Sequence, residues 1–192
     1  MAVDGTIPWS FVPVYIVGQV VGGFFGGIAV YILFKGQFDA TDDPAVKFVV
    51  FATRPSVPNA LLNLLSEAIG TFILMFSLKG IGNAAGISGG MDKIFVFAVI
   101  VSIGMSLGGL TGYAINPARD FGPRLAHWIL PIRGKGSSNW QYAWIPIVGP
   151  IDEQFHVGHH AFIHILPVAG SGKDCLCLGM IYDMMYIIRF EF

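Results

Sequence analysis

Charge is what this sequence has least of. Of 192 residues, 12% are Asp, Glu, Lys or Arg, and none of the four occurs from Gly5 to Phe34. Ordinary soluble domains carry about twice that share, so a soluble globular class is excluded. With 54% apolar residues and a mean hydropathy of +0.67, a polytopic membrane protein is the default. An excess of one sign is also missing, since 11 basic residues face 12 acidic ones. No basic cluster is present for nucleic acid to grip. Cysteine is nearly absent, and Cys175 and Cys177 stand too close together for a structural disulfide. There is no nucleotide-binding loop, no paired intramembrane carboxylate and no nucleophile with a base beside it, which excludes energised pumping and makes an enzyme an unsuitable reading. Nothing calls for a cofactor. The long run after Asp4 fits a spanning helix better than the short core of a cleavable leader.

What is present is a series of long apolar runs. Spans are expected at about 11–34, 59–78 and 94–112, each near the roughly 20 residues that cross a bilayer. Gly18, Gly22 and Gly26 in the first, and Gly104, Gly108 and Gly112 in the third, recur every fourth residue and let a neighbouring helix approach closely. Gln19 sits among the first set, where bonding across helices is the simpler role and lining a pore the alternative. Residues 35–58 are polar and proline-bearing and read as an extramembrane loop with a short interfacial piece. The second span holds one charge, Glu67. An ionisable group inside a span is expensive, which makes it a functional-site candidate. Residues 79–93 read as a short glycine-rich connection.

The chain is organised around residues 109–124, which follow the third run and bring Asn116, Pro117 and Arg119 together. Asn is a preferred helix cap and Pro a preferred first residue, because Pro lacks the N–H that would be orphaned there. The cap uses the side-chain oxygen on Ala118 or Arg119 N–H and leaves its NH2 donors facing outward. Residues 117–128 then form a helix too short to cross a bilayer, beginning at membrane depth. Its N-terminal half-charge and Arg119 repel cations and favour oxygen lone pairs. The natural ligand is neutral or anionic, and the non-helical backbone of Gly112, Tyr113, Ala114 and Ile115 can present carbonyl acceptors beside these donors. A polar loop from 133 to 139 leads to a last helix at about 140–151, with Trp140, Tyr142 and Trp144 as interface anchors.

Asn116-Pro117-Ala118-Arg119-Asp120 resembles the second signature motif of the aquaporin, or major intrinsic protein, family, and Asp120 is similar to the glycerol-conducting branch. The resemblance implies an all-α membrane protein, here a partial aquaporin-like bundle with one re-entrant half-helix. It implies that Glu67 accepts hydrogen bonds from the re-entrant backbone and supports the loop. Tyr113 stands where the family places an aromatic filter residue, usually Phe in glycerol facilitators. The implied partners are the lipid bilayer, glycerol or another small polyol, and water, with assembly as a homo-oligomer, a tetramer in the family. The implied location is the cell membrane, with several passes and the 79–93 connection in the cytoplasm.

The resemblance covers about residues 8–151, so 1–151 is read as a partial channel domain and 152–192 as a tail outside the family. From the first of the family's two inverted halves only the last helix is recognised, and the final helix is cut short at 151. A change of reading frame after Ile151, or a different natural C-terminus, accounts for the tail. His156, His159, His160 and His164, with Cys175 and Cys177, offer metal-ligand spacing without a regular period, and no metal site is expected. The function read from the sequence is passive conduction of glycerol and similar small neutral solutes by a truncated copy. The alternatives are an inactive membrane fragment or assembly partner, and a water-selective channel, the latter disfavoured by Asp120.

Overall fold

The computed structural model describes residues 2, 5, 7–84 and 90–156, and these are helical with no strand among them. After a single 3-10 turn at Trp9–Phe11 come α1 (Val12–Leu33), α2 (Lys35–Ala40), α3 (Pro44–Val49), α4 (Ala60–Asn83), α5 (Met91–Thr111), α6 (Pro117–Ile129) and α7 (Ile145–His156). Three helical stretches, Trp9–Leu33, Ala60–Gly82 and Met91–Thr111, are long and apolar enough to cross a membrane. The 13 residues of α6 extend only about 20 Å at the helical rise, well short of a hydrocarbon core.

Local chemistry sets the boundaries. An acidic or amide side chain followed by Pro starts a helix twice: Asp43 accepts from Ala45 N–H at 2.8 Å ahead of Pro44, and Asn116 does the same job ahead of Pro117. Asn59 caps α4 by accepting from Leu62 N–H at 3.1 Å. Gly90 and Gly112 bracket α5 with φ of +90° and +85°, the left-handed geometry that glycine takes without steric cost.

Several boundaries differ from those read off the sequence. α4 runs on past Lys79 to Asn83, since a single lysine does not interrupt helical backbone hydrogen bonding. α5 begins at Met91, taking Asp92 and Lys93 into its first turn. Residues 140–144 form turns, with Tyr142 N–H on Asn139 O and Ala143 N–H on Trp140 O, so α7 starts only at Ile145 and continues past 151 to His156. The stretch 35–58 is not a plain loop: it folds into α2, α3 and a strap that buries Phe48, Phe51, Ala52 and Thr53. Its aromatic residues explain this, since Phe38, Phe48 and Phe51 form one cluster with Ala126 and Ile132. Gln19 lies exposed on α1. The tail histidines and cysteines lie outside the described residues, except for the backbone of His156.

In lipid there is little hydrophobic drive between helices, so close packing must hold them. α1 packs on α6, α4 on both α5 and α7, and α6 on α7. Glycine makes the first contact possible from both sides. A Cβ on Gly122 would stand 2.6 Å from Val20 O, and one on Gly27 would stand 2.8 Å from Ala126 Cβ. The same holds at α7, where a Cβ on Gly149 would lie 3.0 Å from Glu67 Cβ. α6 is thereby clamped with its N-terminus beside the end of α5.

Candidate functional site

The site is the turn from α5 into α6. Glu67 of α4 is fully buried and spends its carboxylate on that turn: Oε1 accepts from Thr111 Oγ1 at 2.6 Å and Ala114 N–H at 3.1 Å, and Oε2 from Ile115 N–H at 2.8 Å. These bonds hold a backbone that L-residues resist. Tyr113 and Ile115 have φ of +40° and +44°, a region where bulky or β-branched side chains are rare and strain of about 1–3 kcal/mol per residue is typical. Ala114 and Ile115 are buried, and a Cβ on Gly70 would be 3.1 Å from Ile115 Cγ2, so α4 also fixes the loop by shape.

Asn116 ends the turn. Its Oδ1 accepts from Ala118 N–H at 2.9 Å and Arg119 N–H at 3.3 Å, which leaves the amide NH2 clear of the cap. Pro117 is the first residue of α6, and Ala118 is buried against α1. Asn116 and Arg119 are both exposed. The Arg119 guanidinium stands 5.7 Å over the Tyr113 ring, a cation–π distance. The ring rests on a shelf made by absent side chains, because a Cβ on Gly104 or on Gly108 would come within 3.0 Å of it. Those glycines, readable from sequence as packing residues, are part of the site wall.

Asp120 points the other way. It is fully buried, and its Oδ2 accepts from Thr53 N–H at 2.7 Å and Thr53 Oγ1 at 2.6 Å while Arg124 binds both carboxylate oxygens. The strap carrying Thr53 also reaches the end of α5: Ser56 N–H donates to Leu110 O at 2.9 Å and Ser56 Oγ donates to Gly109 O. Thr53 lies against Gly112, where a Cβ would be 3.2 Å from Thr53 Cβ and Cγ2. Thr53 and Arg124 are missing from a reading of the motif alone. The Asp120–Arg124 spacing of four on a helix was the available signal for one of them; nothing local marks the other.

The far end of α6 is fixed by Lys135, whose Nζ donates to the carbonyls of His127, Trp128 and Leu130 at 2.8, 2.7 and 2.7 Å. A cation on the last carbonyls complements the negative end of the helix. Burial holds the Lys135 ammonium below the ordinary lysine value. Among the described residues no cluster of His, Cys, Asp or Glu is arranged to hold a metal ion.

Helices of membrane length around a half-length helix that starts at a capped, positively charged end define a membrane protein with a partial aquaporin-like bundle. Residues 1–152 match the family described as "Major intrinsic protein", and the chain belongs to it. It is 53% identical over 151 residues to the glycerol uptake facilitator protein of Bacillus subtilis, covering 79% of this chain and 55% of that protein. It is 52% identical over 151 residues to the probable glycerol uptake facilitator protein of Thermotoga maritima, covering 79% and 64%. The chain thus spans between half and two-thirds of the length of these relatives. The fold is similar to the X-ray structure of the aquaglyceroporin from Plasmodium falciparum, with a TM-score of 0.69 at 22% identity, covering 98% of this chain and 70% of that one.

Proposed function

We propose that the chain contributes one wall of a passive channel for glycerol and similar small neutral solutes in a cell membrane that it crosses several times. The observation that carries this reading is the exposed pair of Asn116 and Arg119 at the start of α6, with Tyr113 beneath the guanidinium. Its donors are fixed before any solute arrives: the Asn116 oxygen is committed to the cap, so its NH2 faces outward. The carbonyls of 112–115 supply acceptors, and the Tyr113 ring supplies an apolar wall for carbon. A polyol trades its water shell for these groups without leaving a hydroxyl unpaired. Cations meet the helix N-terminus and a full positive charge, so they are refused. The relatives' names point to the same solute class. In this reading the chain assembles with copies of itself, a tetramer by the family resemblance.

A second reading, a membrane fragment that does not conduct alone, is favoured by one fact: Asn116 and Arg119 face open space, with no opposite wall among the described residues. Vesicles carrying the full chain separate the two. Glycerol-driven reswelling faster than empty vesicles, and lost in Arg119→Ala, supports the channel; rates equal to empty vesicles support the fragment.

A further inference from the structure

We infer that Arg124 is a positioning residue that keeps the Arg119 charge free, by serving as the buried counterion of the Asp120 carboxylate, which Thr53 also binds. Asp120 follows Arg119 directly, which makes Arg119 the cation nearest to it in sequence. The geometry pairs Asp120 with Arg124 instead. Asp120 Oδ1 accepts from Arg124 Nε at 2.8 Å. Its Oδ2 accepts from Arg124 Nη2 at 3.0 Å, Thr53 N–H at 2.7 Å and Thr53 Oγ1 at 2.6 Å. Four donors thus converge on this one buried carboxylate, one on Oδ1 and three on Oδ2.

Arg124 is saturated in turn. Beyond its two bonds to Asp120, Nη2 donates to Thr53 O at 2.9 Å, and Nη1 donates to Ser138 O at 2.8 Å and Asn139 O at 3.0 Å. That employs all five guanidinium N–H groups. Both side chains are fully buried, so the pair is a closed, neutral unit joining α6, the strap at Thr53 and the loop before α7. Arg119 is exposed, with its guanidinium over the Tyr113 ring.

Removing the Arg124 cation leaves a buried carboxylate without compensation, which a protein interior does not tolerate. The cation on the adjacent residue is Arg119, on a side chain long enough to turn back. Arg119 would then neutralise Asp120 and stop presenting its charge. What this means for solute selection rests on the channel reading above; the charge arrangement itself does not.

Arginine-directed labelling of the full chain in detergent micelles with phenylglyoxal, with adducts mapped by mass spectrometry, tests it without requiring flux. In the unaltered chain Arg119 is expected to react about tenfold faster than Arg124, as an open group does against a protected one. Arg124→Met is expected to slow Arg119 about fivefold, and Asp120→Asn/Arg124→Met to restore it, because the second change removes the charge that recaptures Arg119. Asp120→Asn alone is expected to leave Arg119 within about twofold of its starting rate. Equal protection of Arg119 and Arg124 in the unaltered chain overturns the inference. So does a several-fold acceleration of Arg119 by Asp120→Asn, or an unchanged Arg119 in a helical Arg124→Met chain. If Arg124→Met unfolds, every arginine reacts together, and the unaltered chain and Asp120→Asn alone decide. Absent glycerol flux sinks the channel reading and leaves this labelling pattern readable.

Discussion

The carboxylate of Glu67 and the backbone N–H of Ile115 are 2.8 Å apart although 48 residues separate them, and Ile115 sits there with a φ of +44°. Glu67 also holds Ala114 N–H and Thr111 Oγ1, so its loss orphans three buried donors at once. Glu67→Ala is expected to destabilise the chain by about 3–5 kcal/mol, from roughly 1–3 kcal/mol per buried unsatisfied group with partial relaxation. Glu67→Gln, which keeps one acceptor oxygen, should cost about half as much. Thermal unfolding in detergent followed by circular dichroism measures both; an Ala variant as stable as the original would contradict the bracing role.

Gly27 and Ala126 set the spacing of α1 and α6. A Cβ on Gly27 would meet Ala126 Cβ at 2.8 Å, closer than two methyl groups tolerate. Gly27→Ala should therefore destabilise by about 1–3 kcal/mol, the usual cost of overpacking. Gly27→Ala/Ala126→Gly moves the methyl across the contact and should recover most of the loss. The double-variant cycle fails as an explanation if the two changes simply add.

The shelf under Tyr113 gives a third expectation. Gly108→Ala places a methyl 3.0 Å from the ring and must tilt it. In a conducting preparation the glycerol rate should fall by about tenfold, since a displacement near one ångström at a solute site commonly costs that or more. Tyr113→Phe leaves the shelf contact intact and should retain most of the rate. Stopped-flow light scattering on glycerol-loaded vesicles compares them.

At the other end of α6, Lys135→Met removes three carbonyl contacts and the charge complementing the helix terminus. Amide hydrogen exchange in residues 127–132 should quicken by about tenfold, the equivalent of about 1.4 kcal/mol for a charge-assisted cap. Exchange at Ala114 and Ile115, held by Glu67, should stay unchanged.

The long helices were legible because charge is so scarce: none falls between Asp4 and Lys35 or between Lys93 and Arg119, where α1 and most of α5 lie, and only Glu67 interrupts the apolar run of α4 before Lys79. Asn116-Pro117 announced its own helix start, and the solitary charge of Glu67 in an apolar run announced a buried partner. Thr53 gave no such notice. It resembles any loop threonine, and its partner Asp120 is 67 residues away. The start of α7 misled for a related reason: Trp140, Tyr142 and Trp144 have the apolar content of a helix, but Asn139 takes a φ of +49° and the chain turns first. Short-range pattern identifies elements well, and it is silent where one side chain serves two distant segments.

A hinge of backbone bent against its own preference has a consequence for the order of assembly. Tyr113 and Ile115 gain nothing by adopting their twist early, since the acid on α4 that binds the N–H groups of Ala114 and Ile115 is what makes that twist worthwhile. The two flanking helices must be in place beforehand, and the mouth of the site sets last, as a keystone does, after the arch around it is standing.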